Sequence, residues 1–300
     1  MENILDKFIT KFYYHTGGYL PVLPLNNPVF PGDFFHWENG NMVVLGNIFQ
    51  LQMSDRLIVS DELPLNPVNW NFEDGVSNAF SARSKGKAIF DTEKDFEFSK
   101  LILQFAESGS FRFHTINPAT IHLLSWGEIA EGLIIKFTQT YFSFREVSIV
   151  TECAFADEWS LAIAGKPGAE MELATSQDDE TLVNIFSSEG VKTIQTKNIG
   201  IHEQIKKRKP VYFKAKKLAM RQEGLLDLKQ SMSNLCEGRD QWAFNNFNRK
   251  YHFDIGTNFI PRFMQNNIKL LDMIPSNQIN PNNALEFFRW DDFGLDDIKL

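Results

Sequence analysis

Three stretches decide the fold of this chain: DFEF at residues 95–98, SFRF at 110–113 and KFTQTYFSFREV at 136–147. In each stretch apolar and polar residues alternate with a period of two, which is typical of a β-strand with one aromatic and one solvated face. Similar alternation runs through residues 94–173, and little in this region marks an active site. The region therefore predicts a large antiparallel sheet that serves as a surface or a scaffold.

The composition is that of a folded protein rich in aromatic residues. Hydrophobic residues make up 43% of the 300 residues and charged residues 23%, so extensive disorder is not expected. The 28 phenylalanines suggest sheet faces that pack against helices or against a partner. The length suits either one large domain or one domain with a second module, and we favour the second.

Net charge and cysteine count limit the partners and the compartment. A formal net charge of −8 disfavours nucleic acid as a partner, because phosphate binding needs a clustered basic surface. Two cysteines, Cys153 and Cys236, are too few for a disulfide framework. The N-terminus lacks the features of a signal peptide, and no run approaches the roughly 18 uninterrupted apolar residues of a spanning helix. We expect a cytoplasmic protein.

Helical spacing marks the N-terminus. Apolar residues recur at helical intervals in residues 3–15, and Gly17-Gly18 supplies a stop. This pattern predicts an amphipathic helix that packs on its own sheet, with a membrane or partner helix as the alternative.

Turn signals divide the alternating region into strands. Ser108-Gly109 predicts a hairpin turn between strands at residues 101–105 and 111–116, and a long strand is predicted from Leu133. Further strands are predicted up to Met220.

The sequence changes character near residue 222, where the strand pattern fades and asparagines multiply. We predict an α+β fold with a large twisted, mostly antiparallel sheet and flanking helices over residues 1–222. A smaller helical or irregular C-terminal region, inhibitory or partner-binding, follows over residues 223–300, with helical spacing at residues 225–235.

Motifs that carry catalysis are missing from the sequence. There is no G-x-S-x-G elbow, phosphate-binding loop, dinucleotide-binding glycine motif or H-E-x-x-H pair. His114 and His122 form the one close histidine pair, without a local third metal ligand, and Cys153 lies within a predicted strand. We therefore expect no catalytic residue, no metal and no cofactor. An enzyme whose site is assembled from distant residues stays open as a third hypothesis.

A basic run is the sharpest charge feature of this acidic chain. It can bind acidic lipid head groups, since each cation near an anionic surface contributes roughly 1 kcal/mol. The candidate lipid-binding residues are Lys206, Lys207, Arg208, Lys209, Lys214, Lys216 and Lys217. A solvated loop and strand face is the alternative, and so is docking of the acidic tail around Asp291 to Asp297 within the chain.

Three groups of residues resemble the pore-forming domain of the gasdermin family, particularly its short bacterial members. GYLPVLP at 18–24, followed by Pro31 and LGNIF at 45–49, is similar to the opening pattern of that domain. SIVTE at 148–152 resembles a central strand, and PVYFKAKKL at 210–218 resembles the final strand of the sheet. The resemblance covers about residues 1–220.

The resemblance implies a latent pore-forming protein that waits in the cytosol and moves to the membrane on activation. Removal of a C-terminal inhibitory segment, for which an activating protease is a candidate, lets two hairpin regions extend, oligomerise and insert as an amphipathic barrel. The regions with suitable alternation are residues 94–116 and 133–164. The partners implied are acidic membrane lipids and other copies of the chain.

The acidic and aromatic C-terminus supplies the candidates for autoinhibitory contacts. They are Phe287, Phe288, Trp290, Asp291, Asp292 and Phe293.

The chain departs from the family pattern in two ways. Bacterial members often carry a lipid-modified cysteine near the N-terminus, and this chain has no cysteine before Cys153. Their inhibitory tail is short, whereas 80 residues follow Met220 here. The alternative function is a non-enzymatic adaptor or assembly subunit that contacts another protein through an aromatic sheet face.

Overall fold

The computed structural model describes residues 4–25, 27–51, 57–87, 95–139, 147–175, 192–221 and 281–298. The α+β fold with mostly antiparallel sheets is confirmed. The helical pattern at residues 225–235 and the second cysteine, Cys236, lie outside the described residues.

Strands outnumber helices in the part of the chain that the structure describes. The helices are α1 (Leu5–Thr16), α2 (Trp126–Gln139) and the short α3 (Ala284–Phe287), and single 3-10 turns cover Ile48–Gln50, Pro67–Trp70 and Leu295–Asp297. The strands are β1 (Leu20–Pro21), β2 (Asp33–Glu38), β3 (Asn41–Asn47), β4 (Leu63–Pro64), β5 (Phe72–Asp74), β6 (Val76–Lys87), β7 (Asp95–Phe105), β8 (Phe111–Ile116), β9 (Ala119–His122), β10 (Ser148–Ala156), β11 (Glu158–Ala164), β12 (Ala169–Thr175), β13 (Lys192–Lys197), β14 (Ile199–Ile205), β15 (Lys209–Met220) and β16 (Phe288–Asp292).

A central sheet has the order β1-β15-β10-β2-β3. Strand β9 also pairs with β10, and β4 pairs with β9. Strands β1 and β16 share one edge of β15: β1 pairs at Tyr212 and Phe213, and β16 pairs from Lys216 to Met220. The chain thus covers this edge with two segments that are distant in sequence.

Two long hairpins form the rest of the β-structure. One rises along β5 and β6 and returns along β7 and β8, and the other rises along β11 and β12 and returns along β13 and β14. Together they make a proximal sheet, β14-β11-β8-β5, and a distal sheet, β13-β12-β7-β6, with corresponding strands in the same order. The chain passes between the two sheets four times, from β5 to β6, β7 to β8, β11 to β12 and β13 to β14, and each passage interrupts the strand. We call this level the strand break.

The predicted hairpin between residues 101–105 and 111–116 is wrong. Strand β7 pairs with β6 and β12 in the distal sheet, whereas β8 pairs with β5 and β11 in the proximal sheet. Ser108-Gly109 lies in the strand break. A break and a tight turn both need a residue that tolerates a positive φ, so the local sequence does not distinguish them.

The predicted strand from Leu133 is also wrong, because α2 continues to Gln139. Ile129, Leu133 and Phe137 recur every four residues and are buried together against Phe34 and Ile149. This helical face outweighs the alternation that begins at residue 136. Residues 140–146 lie outside the described part of the chain. The second hairpin spans residues 158–205, not 133–164.

Helix α1 agrees with its prediction and packs on the sheets. Phe8, Ile9 and Phe12 are buried, and the helix ends at Gly17, whose φ of 72° is left-handed. Phe12 contacts the rings of Trp70, Phe72, Phe113 and Tyr212. The helix therefore joins the proximal sheet to strand β15 of the central sheet.

We expect Phe12→Ala to lower the free energy of unfolding by about 3–5 kcal/mol, because it leaves a cavity in this aromatic cluster. Tyr14→Ala is the matched control on the same helix, since Tyr14 is 72% exposed and should change stability by less than about 0.5 kcal/mol. Urea unfolding followed by circular dichroism measures both. Equal losses in the two variants would contradict this assignment of the core.

Candidate functional site: the β15 edge and its strap

Residues 281–298 form a segment that we call the C-terminal strap. Its strand β16 pairs antiparallel with β15, with Asp292 opposite Lys216 and Phe288 opposite Met220. Backbone hydrogen bonds continue past both ends of the pairing: the Arg221 amide donates to Phe287 (2.7 Å) and the Phe293 amide donates to Ala215 (3.0 Å). The strap is thus bound as a full strand of the central sheet.

Two ion pairs join the strap to adjacent lysines of β15. Lys216 Nζ lies 2.7 Å from Asp292 Oδ1, and Lys217 Nζ lies 2.5 Å from Asp297 Oδ1. Neighbouring residues of a strand point to opposite faces of the sheet, so the strap places one carboxylate on each side of the edge. The alternative that the acidic tail docks on the basic run is confirmed for Lys216 and Lys217.

Aromatic residues anchor the strap in two parts of the core. Phe293 is buried and contacts Phe35, with ring centroids 5.4 Å apart, and also Phe213. Phe288 is buried beside Leu218 in a separate cluster that includes Ile134 of α2. Burying a phenylalanine side chain contributes about 1.5–3 kcal/mol, more than a surface ion pair.

Trp290 links the strap to helix α2. Its indole N–H donates to the Ala130 carbonyl at 2.8 Å, and its ring meets the edge of Trp126 with centroids 5.3 Å apart. A half-buried tryptophan with a satisfied N–H fits a well-defined docking position.

The other candidate autoinhibitory residues differ in what they contact. Asp291 pairs with Arg289 of the strap itself, at 2.9 Å, and not with a β15 lysine. Phe287 is half-buried beside the cluster of Phe288. Asp297, outside the candidate set, forms the second ion pair because the 3-10 turn at Leu295–Asp297 folds back towards β15. Sequence reasoning located the acidic stretch but not this turn.

The candidate lipid-binding residues fall into two separate groups. Lys206, Lys207, Arg208 and Lys209 lie where β14 passes into β15, and Lys214, Lys216 and Lys217 lie farther along β15.

Arg208 is engaged within the chain. Its guanidinium forms ion pairs with Asp157 and, at 2.6 Å, with Glu62, and it lies over the Phe155 ring. Lys206 lies 3.9 Å from Glu158. Within the described residues, Lys207 and Lys209 have no ion pair.

Lys214 belongs to a polar cluster on the central sheet. Its Nζ lies 3.2 Å from Glu152 and over the ring of Tyr19. Glu152 also accepts a hydrogen bond from the Tyr19 hydroxyl and lies 3.3 Å from His122 Nδ1. Burial raises the pKa of Tyr19 above its ordinary value, so this hydroxyl stays protonated. Lys214, Lys216 and Lys217 thus all have carboxylate partners, and the strap supplies two of these partners.

A second feature, in the distal sheet, has two contrasting faces. Its buried side, which we call the distal apolar face, consists of Leu101, Leu103, Phe105, Ala169, Met171 and Leu173. The alternate residues Gln104, Glu170 and Glu172 are half-buried or exposed on the opposite side. The alternation in residues 94–173 indicated these faces, but the pairing of β7 with β12 is a non-local property that it does not specify.

The candidate histidine pair is not brought together. His114 lies on β8, and His122 lies on β9 beside Glu152. In the described part of the chain, no group of three or more histidine, cysteine, aspartate or glutamate side chains could hold a metal ion.

No model of a protein family matches the chain, and no curated protein matches it. Among solved structures, the chain is similar to a bacterial gasdermin from Bradyrhizobium tropiciagri, with 10% sequence identity and a TM-score of 0.32. The similarity covers 73% of this chain and 87% of that one. That protein is of the family that the sequence resembles.

The helices of the described residues are short or amphipathic. None of the helices there has both the length and the apolar character needed to cross a membrane.

Charge reversal at Asp292 should weaken the strap. In Asp292→Lys, two like charges replace an ion pair, and we expect the amides shared by β15 and β16 to exchange hydrogen about twofold to fivefold faster. The matched control is Asp296→Lys, an exposed position four residues on that has no lysine partner among the described residues. Native-state hydrogen exchange by mass spectrometry measures both. Identical exchange in the two variants would show that the ion pair does not stabilise the strap.

Protonation of His114 should make stability depend on pH. Burial, with a smaller contribution from Arg112, lowers the pKa of His114 to about 4, against an ordinary value of 6.5. Between these values the unfolded chain binds a proton that the folded chain does not, so stability falls as the pH drops from 6.5 towards 4. We expect His114→Gln to make this fall shallower by roughly 2–3 kcal/mol. Urea unfolding at pH 7 and pH 4.5 tests this, and parallel pH curves for both proteins would refute it.

Proposed function

We propose that this chain is a latent, non-enzymatic pore-forming protein. The two long hairpins become strands of an oligomeric membrane barrel after the strap leaves β15. The observation that carries the proposal is the distal sheet, whose inner strands β7 and β12 present one apolar face and one largely polar face.

The distal strands of the first hairpin have the length that a barrel needs. A transmembrane β-strand needs about 9–11 residues with apolar side chains towards lipid and polar side chains towards the lumen. Strand β6 has 12 residues and β7 has 11, whereas β12 has 7 and β13 has 6. In the barrel, the distal apolar face contacts lipid and the face with Gln104, Glu170 and Glu172 lines the lumen.

Barrel closure also needs partners for the outer strands, because no backbone group can remain unpaired in lipid. Strands β6 and β13 form the two edges of the distal sheet within the described residues. Each edge pairs with the opposite edge of a neighbouring copy. This supports a self-oligomer as the active form.

The strap restrains this change. Its carboxylates neutralise Lys216 and Lys217, and its aromatic anchors join the central sheet to α2. A protease that cuts between Arg221 and the strap lets the strap dissociate, which frees Lys216 and Lys217 for acidic lipid head groups. Lys207 and Lys209, which have no ion pair within the described residues, add to that basic surface. The protein is cytoplasmic before the cut and binds the membrane after it.

Dye release from liposomes tests the proposal, with the full chain compared with a chain that ends at Met220. We expect release only from the truncated protein and only with vesicles that contain acidic lipid, with neutral phosphatidylcholine vesicles as the control. Circular dichroism checks that the truncated protein is folded. A folded truncated protein that releases no dye contradicts the proposal.

Binding to acidic vesicles should depend on the two lysines that the strap covers. In the truncated chain, we expect Lys216→Gln with Lys217→Gln to weaken binding roughly 30-fold, at about 1 kcal/mol for each charge. The charge-matched control is Lys11→Gln with Lys166→Gln, two exposed lysines away from β15. Vesicle co-sedimentation measures both. Equal losses would mean that net charge, and not the β15 edge, governs binding.

A protein-binding function is the second candidate, on a different surface from the one predicted. The aromatic residues Phe111 and Phe113 are covered by α1. The observation that favours a partner is instead on β3, where Val43 and Val44 are 40% and 46% exposed in succession. An uncharged edge strand of this kind can pair with a strand of another protein. Co-purification of the full chain with a stable partner, lost in Val44→Lys, would support it.

A further inference from the structure

We infer that helix α1 acts as a latch on the strand break, because its first turn holds the two hairpins in their interrupted form. The proximal and distal sheets become one continuous sheet only after this turn loses its contacts with the break. The consequence for pores rests on the proposed function, whereas the latch itself can be tested on the soluble chain.

The strand break interrupts all four passages of the chain between the two sheets. Gly75 interrupts the first, residues 106–110 the second, residues 165–168 the third and Asn198 the fourth. Gly75 has a φ of +65°, and a Cβ there would lie 2.4 Å from Ser110 Oγ, so a larger residue would be strained and would displace Ser110. Backbone hydrogen bonds cross the break from Ala106 to Gly75 and from Gly165 to Asn198, both at 2.9 Å.

Lys7 of α1 joins the two sides of the first hairpin at the break. Its ammonium lies 3.2 Å from Asp74, the last residue of β5, and 3.0 Å from Glu107, which follows β7. One cation thus connects the rising and the returning strand at the point where both are interrupted.

Ile4, just before α1, reaches both hairpins. Its Cδ1 lies 2.7 Å from the position that a Cβ would take at Gly200, at the start of β14. Its carbonyl oxygen lies 3.7 Å from the corresponding position at Gly109 in the first hairpin. The N-terminal end of α1 therefore touches the break from both sides.

The remainder of α1 is fixed to the proximal sheet. Phe8 contacts Phe111 and Phe113, with ring centroids 5.3 and 5.5 Å away. His15 stacks on Phe72 at 4.6 Å. The helix is anchored on the proximal sheet, and its first turn contacts the residues of the break itself, which is the arrangement a latch requires.

Hydrogen exchange on the full chain tests the latch. Lys7→Gln removes the cation and keeps helix propensity, and Lys11→Gln is the matched control one turn later, where the lysine is exposed. We expect the amides of Ala106, Gly109 and Gly165 to exchange about twofold to fivefold faster in Lys7→Gln and to be unchanged in Lys11→Gln. Unchanged exchange in both variants would overturn the inference.

A reversible cross-link gives the complementary test. A Cβ at Gly109 would lie 3.9 Å from that of Lys7, within the range for a disulfide. We would place Lys7→Cys and Gly109→Cys in a Cys236→Ser background. Because a cysteine at a φ of +80° is strained, the reduced form of the same protein is the control. Oxidation should slow exchange at the break relative to the reduced form, and no slowing would count against the latch.

Dye release then separates the latch from the proposed function. The chain that ends at Met220 and carries the cysteine pair, with its folding checked by circular dichroism, should release dye when reduced and not when oxidised. Equal release in both forms would overturn the latch and would leave the proposed pore-forming function standing. If neither form releases dye and the folded truncation ending at Met220 is also silent, the pore fails, and the exchange experiments alone decide the latch.

Discussion

The packing of Phe12 is the contact on which the rest of the structure depends. Its ring stacks on Tyr212 of the central sheet, with centroids 4.8 Å apart, and meets Phe113 of the proximal sheet edge-on at 5.3 Å. One helix residue thereby holds two sheets together, and an aromatic cluster of this kind contributes more than its buried area alone. The position of α1, and with it the contacts of Lys7 and Ile4, follows from this anchor.

Local pattern predicted the elements that depend on neighbours in sequence. The spacing of Phe8 and Phe12 indicated a helix, and the alternation around Phe111 and Phe113 indicated a strand. It failed where two patterns overlap, as at Leu133, because burial of a helical face against Phe34 decides between them. It failed also at Ser108-Gly109, since the pairing of β7 and β8 depends on strands that are distant in sequence.

The candidate site, too, could be predicted only where it depends on local sequence. Charges alone indicated that the acidic tail meets the lysines of β15. The register that places Asp292 opposite Lys216 depends on where Phe288 and Phe293 fit into the core, and no spacing in the sequence specifies those pockets. Arg208 is a residue type that can bind a lipid head group, but it forms ion pairs with Asp157 and Glu62. The fold brings these three separate segments together, which the sequence does not show.

Because the strap is a complete strand with its own hydrogen bonds and two buried aromatic anchors, cutting the chain before it does not by itself remove it. Under the proposed function, the cut turns an intramolecular contact into one between two molecules and lowers the local concentration of the strap from about the millimolar range. Loss of the strap is then a first-order dissociation. Activation acquires a delay that does not depend on protein concentration, and free strap peptide in excess can reverse it.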